Sequence, residues 1–141
     1  SKESATPDEK SDAATPPMGG NETVLVAEDD ASLRQLTRIT LESFGYIVIT
    51  AEDGEDAIAK YMENRERISL VLIDMIMPKK NGNEVREALT RINPRIKMLF
   101  SSGYAMDTVK SNEVLEGDFD FIRKPFLPKD LLMKVREILD R

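Results

Sequence analysis

The chain has 141 residues and a net charge of −6, and its 40% hydrophobic and 33% charged residues are typical of one soluble globular domain. The negative charge argues against direct binding to nucleic acid or anionic lipid, and neither a bilayer-length apolar run nor a signal peptide is visible, so we expect a cytoplasmic protein without membrane contact. Because the sequence contains no Cys and no His, it excludes disulfides, thiolate chemistry and catalysis by imidazole, and leaves carboxylates, hydroxyls, Lys or a hard metal ion.

The segment 1–22 is rich in Ser, Thr, Pro, Gly and charged residues, and Met18 is its only large apolar side chain. Such a segment cannot bury enough apolar surface to offset the entropy that it would lose on ordering. We therefore predict a disordered tail or linker over residues 1–22 and one folded domain over residues 23–141.

From residue 23 onward, short apolar runs alternate with segments of helical periodicity. The runs predict five strands, over residues 23–27, 46–50, 70–73, 96–101 and 119–123. Five helices are predicted, and the fourth is a weak, polar helix over residues 109–115. The other four are predicted from apolar stripes at helical spacing: Leu33, Leu36, Ile39, Thr40 and Phe44 in the first; Ala57, Ile58 and Tyr61 in the second; Val85, Ala88, Leu89 and Ile92 in the third; and Leu131, Leu132, Val135, Ile138 and Leu139 in the fifth.

Capping and breaking residues mark the predicted helix ends. Asp30 is the expected N-cap of the first helix and Gly45 its stop, Asp53 with Asp56 resembles a capping box before the second, and Pro128 fits the first turn of the fifth. The alternation of strands and helices predicts an α/β fold with a parallel sheet, helices on both faces and right-handed crossovers.

Asp74 stands at the end of the apolar run that begins at Leu70. A continuous rather than alternating run is typical of a parallel strand that is covered on both faces. Pro78 then stops the strand, and Asn81-Gly82 indicates a turn. Asp74 should therefore lie at the carboxyl end of a central strand, where open α/β sheets bind their ligands. The alternative is an Asp that only caps the next loop or helix.

The carboxyl ends of parallel strands meet at one edge, so this edge should gather Glu28, Asp29, Asp74, Ser102 and Lys124. Carboxylates in one crevice repel one another, and Lys124 supplies a single positive charge. A hard divalent cation, Mg²⁺, suits such a set, although a solvated acidic loop mouth remains an alternative. An Asp beside Mg²⁺, a Lys and a hydroxyl make a phosphoryl-acceptor site, with Asp74 as the attacking group.

Four segments carry a resemblance to a known family: residues 24–29 (Val-Leu-Val-Ala-Glu-Asp), residues 74–78 with Asn81-Gly82, Ser102-Gly103, and residues 124–126 (Lys-Pro-Phe). In their order and spacing they resemble the receiver domains of two-component response regulators. The resemblance implies a flavodoxin-like, doubly wound (βα)₅ fold with a five-stranded parallel sheet in the order 2-1-3-4-5.

The resemblance also implies the roles of the site residues. Asp74 would accept a phosphoryl group from a kinase phosphohistidine. Asp29, Asp74 and the backbone carbonyl of Ile76 would bind Mg²⁺ directly, and Glu28 would act through a water molecule. The Lys124-Pro125 peptide bond is expected to be cis. A domain of this kind phosphorylates and dephosphorylates itself and is not a turnover enzyme on an external substrate.

Ser102 and Phe121 are implied as the switch pair, because on phosphorylation Ser102 would move toward Asp74 and Phe121 would turn into the vacated space. The signal would then reach the surface of the fourth helix, fifth strand and fifth helix, where a homodimer could form. The implied partners are a sensor histidine kinase, in the same chain or another, or a phosphotransfer protein. Residues 19–23 resemble linkers that precede the receiver of a hybrid sensor kinase.

Three positions depart from the commonest family pattern: Glu28 replaces Asp, Ser102 replaces Thr, and Phe121 replaces Tyr. Two other functions stay open at the sequence level. One is a docking module with the receiver fold that works without phosphorylation. The other is a stand-alone Mg²⁺-dependent phosphatase, which would want an acid–base carboxylate where this chain has Ile76.

Overall fold

The computed structural model describes residues 19–103 and 120–141, which contain five strands and four helices. The strands are β1 (Thr23–Ala27), β2 (Ile47–Ala51), β3 (Ile68–Asp74), β4 (Met98–Ser102) and β5 (Asp120–Arg123). The helices are α1 (Ala31–Ser43), α2 (Gly54–Asn64), α3 (Gly82–Ile92) and α4 (Pro128–Leu139). The predicted fourth helix over residues 109–115 and residues 1–18 of the predicted tail lie outside the described residues, so α4 corresponds to the predicted fifth helix.

All five strands run parallel in the order β2-β1-β3-β4-β5, which confirms the predicted flavodoxin-like topology. The central strand β3 pairs with β1 on one side and β4 on the other, and its residues from Leu70 to Asp74 are buried. This position explains the continuous apolar sequence of β3, because both of its faces are covered by helices. Within the described ranges, no helix is long and apolar enough to span a membrane.

Alternate residues of the strands enter two core layers. Ile73 and Phe100 belong to the layer that packs α2 and α3 against the sheet, and Leu72 and Leu99 belong to the layer under α1 and α4. The stripe predicted for the last helix is confirmed, since its buried members are Leu131, Leu132, Val135 and Ile138.

The buried face of α1 differs from the predicted face. Leu36 and Ile39 are 56% and 49% exposed, whereas Thr37 and Leu41 are buried. Helical periodicity gives the spacing of a buried stripe, but it does not decide which of two overlapping stripes faces the sheet. The predicted stripe is therefore wrong at Leu36 and Ile39, which face solvent, whereas its member Phe44 packs beside the buried Leu41 into the layer shared with α4.

The ends of α1 are as predicted. The Asp30 side chain accepts a hydrogen bond from the Leu33 N–H at 3.0 Å, which makes it the N-cap. Gly45 follows the helix with a φ of 99°, in the left-handed region that favours glycine.

The capping box predicted at α2 is only half formed. The Asp53 side chain accepts the Asp56 N–H, as in a capping box, but the Asp56 carboxylate accepts the N–H of Glu52 and not that of Asp53. The complete capping box lies at α3, where the Asn81 and Glu84 side chains each accept the other residue's backbone N–H at 2.9 Å. The Asn81-Gly82 pattern in the sequence indicates only a turn and not this capping box.

Arg136 of α4 holds the segment that enters β1. Its Nη2 lies 2.7 Å from Glu22 Oε2, and its Nη1 donates to the Gly19 carbonyl at 3.0 Å and the Tyr46 hydroxyl at 3.3 Å. The hydrogen bond from Arg136 keeps the pKa of Glu22 below its usual value.

We predict that Leu41→Ala lowers the free energy of unfolding by about 2–5 kcal/mol, because it leaves a cavity in the core layer under α1. The matched variant Leu36→Ala, on the exposed side of the same helix, should change it by less than about 0.5 kcal/mol. Urea unfolding followed by circular dichroism measures both. Equal losses in the two variants would contradict the observed orientation of α1.

Glu22 should contribute to stability in a pH-dependent way. Its pKa is lower in the folded state than in the unfolded chain, so its contribution is complete above the unfolded pKa, about 4.3, and is lost as the pH falls through the folded-state value. We expect Glu22→Gln to be less stable than the wild type by up to about 1 kcal/mol at pH 7, with a difference that shrinks below about pH 4. Urea unfolding of both proteins from pH 7 to pH 3 tests this, and a difference that stays constant over the range would refute it.

Candidate functional site

Four strands deliver polar residues to the carboxyl edge of the sheet. Glu28 and Asp29 follow β1, Asp74 is the last residue of β3, and Ser102 is the last residue of β4. Lys124 follows β5 directly. The structure therefore brings all five residues of the predicted constellation to one edge.

Three carboxylates form a cluster at this edge. Glu28, Asp29 and Asp74 each offer an oxygen within 4.8 Å of the others. Glu28 and Asp74 are 5% and 6% exposed, whereas Asp29 is exposed to solvent. A partly buried group of carboxylate oxygens that opens to water fits a hard cation such as Mg²⁺, which binds through oxygen and keeps several of its waters.

Lys124 bridges the two buried carboxylates. Its Nζ lies 2.9 Å from Glu28 Oε1 and 3.2 Å from Asp74 Oδ2. The second oxygen of each carboxylate accepts a backbone N–H. Glu28 Oε2 accepts the Asp30 N–H at 3.1 Å, and Asp74 Oδ1 accepts the Ile76 N–H at 3.2 Å. Both carboxylates are thus fixed by one ammonium group and by the first residues of their own loops.

Burial shapes the electrostatics of this group. The pKa of Glu28 is raised to about 7, mainly by burial; the hydrogen bond from Lys124 opposes this rise, and the nearby charge of Asp74 adds to it. Burial also raises the pKa of Asp74, against the effect of Lys124. Burial alone would lower the pKa of Lys124, but its contacts with Glu28 and Asp74 outweigh burial and raise it. The two buried acids are therefore short of positive charge with Lys124 alone, which favours an added cation.

Ser102 is tied to the same edge through the backbone. In the β3–β4 ladder Asp74 lies opposite Ser101, so Ser102 is one residue beyond it, and its side chain is buried. The Ser102 carbonyl accepts the Lys124 N–H at 2.8 Å. Ser102 and Lys124 therefore share one hydrogen bond at the ends of their strands.

Phe121 lies on β5, opposite Phe100 of β4. The two rings are tilted by 32° with centroids 5.5 Å apart, and Phe121 is only partly buried. Ile76 is 56% exposed beside the carboxylates. The Lys124-Pro125 peptide bond is cis, as expected.

Two other residues contact the site or the loop beside it, and neither is predicted from the sequence. Arg34 donates from Nη1 to the Glu28 carbonyl at 2.8 Å, and its place one turn into the helix after the acidic pair was the available signal. Gly54 contacts the loop that follows Asp74, and no local pattern could have revealed that contact because the two segments are distant in sequence.

Comparison with known proteins adds a family to this geometry. The family model of the response regulator receiver domain matches residues 24–136. Sensor kinase CckA of Brucella abortus (strain 2308) is 34% identical over 124 residues, which cover 88% of this chain and 13% of that kinase. Transcriptional regulatory protein ResD of Bacillus subtilis (strain 168) is 37% identical over 123 residues, which cover 86% of this chain and 50% of that protein. The chain thus spans half or less of these two relatives.

Solved structures agree on the fold. A response regulator receiver domain protein from Clostridium thermocellum superposes with a TM-score of 0.78 at 27% identity, covering 85% of this chain and 95% of that one. The CheX–CheY–BeF₃–Mg²⁺ complex from Borrelia burgdorferi gives a TM-score of 0.72 at 26% identity, covering 91% of this chain and 92% of that one.

We predict that Lys124→Met in metal-free solution lowers the free energy of unfolding by about 2 kcal/mol or more, because it leaves two buried carboxylates without their cation. Lys134→Met, which removes a lysine from a more exposed pair with Glu137, should change it by less than about 0.5 kcal/mol. The double variant Glu28→Gln/Lys124→Met should recover part of the loss. Urea unfolding with a chelator present measures all three, and an unchanged stability of Lys124→Met would contradict this account of the site.

Proposed function

Since the chain belongs to the family of response regulator receiver domains, we propose that it is a phosphoacceptor domain of two-component signalling in which Asp74 receives the phosphoryl group. The observation that carries the proposal is the position of Lys124 between Asp74 and Glu28, with Asp29 beside them. A carboxylate that is in contact with a fixed cation and close to two further acids is arranged for phosphoryl transfer, which depends on positioning and on charge neutralisation.

In the proposed reaction, one Asp74 carboxylate oxygen attacks the phosphorus of a kinase phosphohistidine. The P–O bond of an acyl phosphate forms, the P–N bond breaks, and the imidazole leaves with the electron pair of that bond. Lys124 offsets charge on the phosphoryl oxygens, and the Ser102 hydroxyl donates a hydrogen bond to one of them. The domain carries the phosphoryl group and does not turn over an external substrate.

The residues present fit a Mg²⁺ site. Asp29, Asp74 and the Ile76 carbonyl would hold the ion directly and Glu28 through a water molecule, and the chemistry that Mg²⁺ supplies when bound is positive charge at the phosphoryl oxygens. The cluster of three carboxylates and the Borrelia CheY complex with BeF₃ and Mg²⁺ both support this assignment.

The switch that we propose uses the two strands beside Asp74. Ser102 moves toward the phosphorylated Asp74, and Phe121 turns from its partly buried position into the space that Ser102 leaves. The β5 and α4 surface, together with the segment of the predicted fourth helix, then carries the signal and is the candidate homodimer surface. Support comes from the adjacent register of β4 and β5 and from the contact between Phe100 and Phe121.

The proposed partner is a cytoplasmic sensor histidine kinase or a phosphotransfer protein, with no direct contact to nucleic acid. The similarity to Sensor kinase CckA supports a receiver that is part of a hybrid kinase, and the similarity to ResD supports a separate regulator. A docking module that works without phosphorylation is the second candidate, and the phosphorylation assay below separates the two.

We predict that the wild-type protein takes up one phosphoryl group from acetyl phosphate in the presence of Mg²⁺ and that Asp74→Asn takes up none, because the variant lacks the attacking carboxylate. Intact-protein mass spectrometry measures the uptake. Asp140→Asn, an exposed acid at the end of α4, is the matched control and should behave as the wild type does.

The same assay tests the metal. Excess EDTA should abolish uptake by the wild type, and equal uptake with and without EDTA would remove Mg²⁺ from the proposal. Unchanged uptake in Asp74→Asn would show that another residue is the acceptor. No uptake by the wild type under any of these conditions would favour the docking module.

A further inference from the structure

The loop between β3 and α3, residues 75–81, follows Asp74 directly and packs against the first turn of α2. The closest approach is at Gly54, where an added Cβ would overlap the Lys80 carbonyl oxygen and lie 2.6 Å from Lys80 Cβ. These are backbone and Cβ atoms, which cannot move aside as the end of a flexible side chain can. A side chain at position 54 would therefore push the loop away from α2.

Two further contacts join the same elements. The Gly54 N–H donates to the Pro78 carbonyl with an N···O distance of 3.5 Å, and Lys79 Nζ lies 3.8 Å from Oδ2 of Asp53, the N-cap of α2. Each contact is long and weak by itself. Together with the packing at Gly54 they attach residues 78–80 to α2 at three adjacent points.

The attached segment is in a conformation that needs such support. Lys79 has a φ of 71°, and the Lys80 N–H donates to the Pro78 carbonyl at 2.7 Å, which closes a γ-turn around Lys79. A residue with a side chain persists in this left-handed region only where its surroundings hold it there. The first turn of α2 provides those surroundings.

The same loop is fixed to the proposed site at its beginning. The Ile76 N–H donates to Asp74 Oδ1 at 3.2 Å, and the Met75 carbonyl accepts the Gly82 N–H at 2.9 Å. The turn at residues 78–80 lies between these contacts and the capping box of α3. Moving this turn away from α2 would therefore change the position of the Ile76 backbone relative to Asp74.

We propose that Gly54 is a positioning residue for the phosphoacceptor site. The absence of a Cβ at position 54 lets α2 hold the γ-turn around Lys79, and this contact sets where the Ile76 carbonyl lies beside Asp74. This inference rests on the proposed function, because it gives the Ile76 carbonyl a role in binding Mg²⁺.

The test compares Gly54→Ala with Glu55→Ala, a matched change in the same turn of α2 at an exposed residue. In metal-free protein, Gly54→Ala should shift the backbone amide resonances of Ile76 and Lys80. It should weaken Mg²⁺ binding, measured by calorimetry, by about tenfold, as is usual when a residue that orients a ligand is changed. Acetyl phosphate should label it slowly at low Mg²⁺ and at nearly the wild-type rate at saturating Mg²⁺, and Glu55→Ala should match the wild type throughout.

A Gly54→Ala protein with wild-type Mg²⁺ affinity and an unshifted Ile76 amide would overturn the inference. If Gly54→Ala does not fold, Asp53→Asn tests the inference in its place. This variant weakens the contact between Lys79 and position 53 without adding an atom, and its side-chain oxygen can still cap α2. Asp53→Asn should cause smaller shifts of the Ile76 and Lys80 amide resonances in the same direction, and unshifted amide resonances would overturn the inference. The proposed function is tested by a different result: it is wrong if the wild type itself takes up no phosphoryl group. In that case the amide shifts and Mg²⁺ affinities still decide whether Gly54 positions the loop.

Discussion

The contact of the Lys124 ammonium group with two buried carboxylates is the interaction on which the site depends. Two unit charges about 4 Å apart interact by roughly 4 kcal/mol at an effective dielectric constant near 20, so Glu28 and Asp74 could not stay ionised side by side without a cation. Lys124 reaches both, and it thereby joins the ends of β1, β3 and β5. One positive charge does not balance three carboxylates. In the proposed function, a metal ion supplies the missing positive charge, and the phosphoryl group on Asp74 adds further negative charge.

The parallel sheet makes this convergence possible. Every strand ends at the same edge, and the crossover helices bring the chain back to the opposite edge before the next strand starts. β3 is central and covered on both faces, so Asp74 is held by pairing with Ser101 of β4 and by a buried apolar strand behind it. A flexible loop would not bury a carboxylate this deeply in a fixed position, and burial is the cause of its raised pKa.

The parts of the structure that could be predicted from the sequence are those with a local or periodic cause. Strand ends could be placed because buried parallel strands are continuous apolar runs, and this brought Glu28, Asp74 and Lys124 together before any coordinates. The buried face of α1 could not be predicted from the sequence. Leu36 and Leu41 belong to two stripes of equal spacing, and only the packing against α4 decides which stripe is buried. The role of Gly54 depends on a contact with a backbone 26 residues away, at Lys80, for which no sequence window carries a signal.

The two sides of Asp74 are built differently, and the difference suits a switch. On the α2 side, the loop after Asp74 packs closely against Gly54 and, where α3 begins, against Gly82, so that neither position has space for a Cβ. On the other side, Ser102 and Lys124 are joined by a single backbone hydrogen bond, and Phe121 is only partly buried. In the proposed function, a phosphoryl group on Asp74 acts on Ser102 and Lys124, which stand at the ends of β4 and β5. The α2 side would then keep the metal ligands in place, while the ends of β4 and β5 transmit phosphorylation to the β5 and α4 surface.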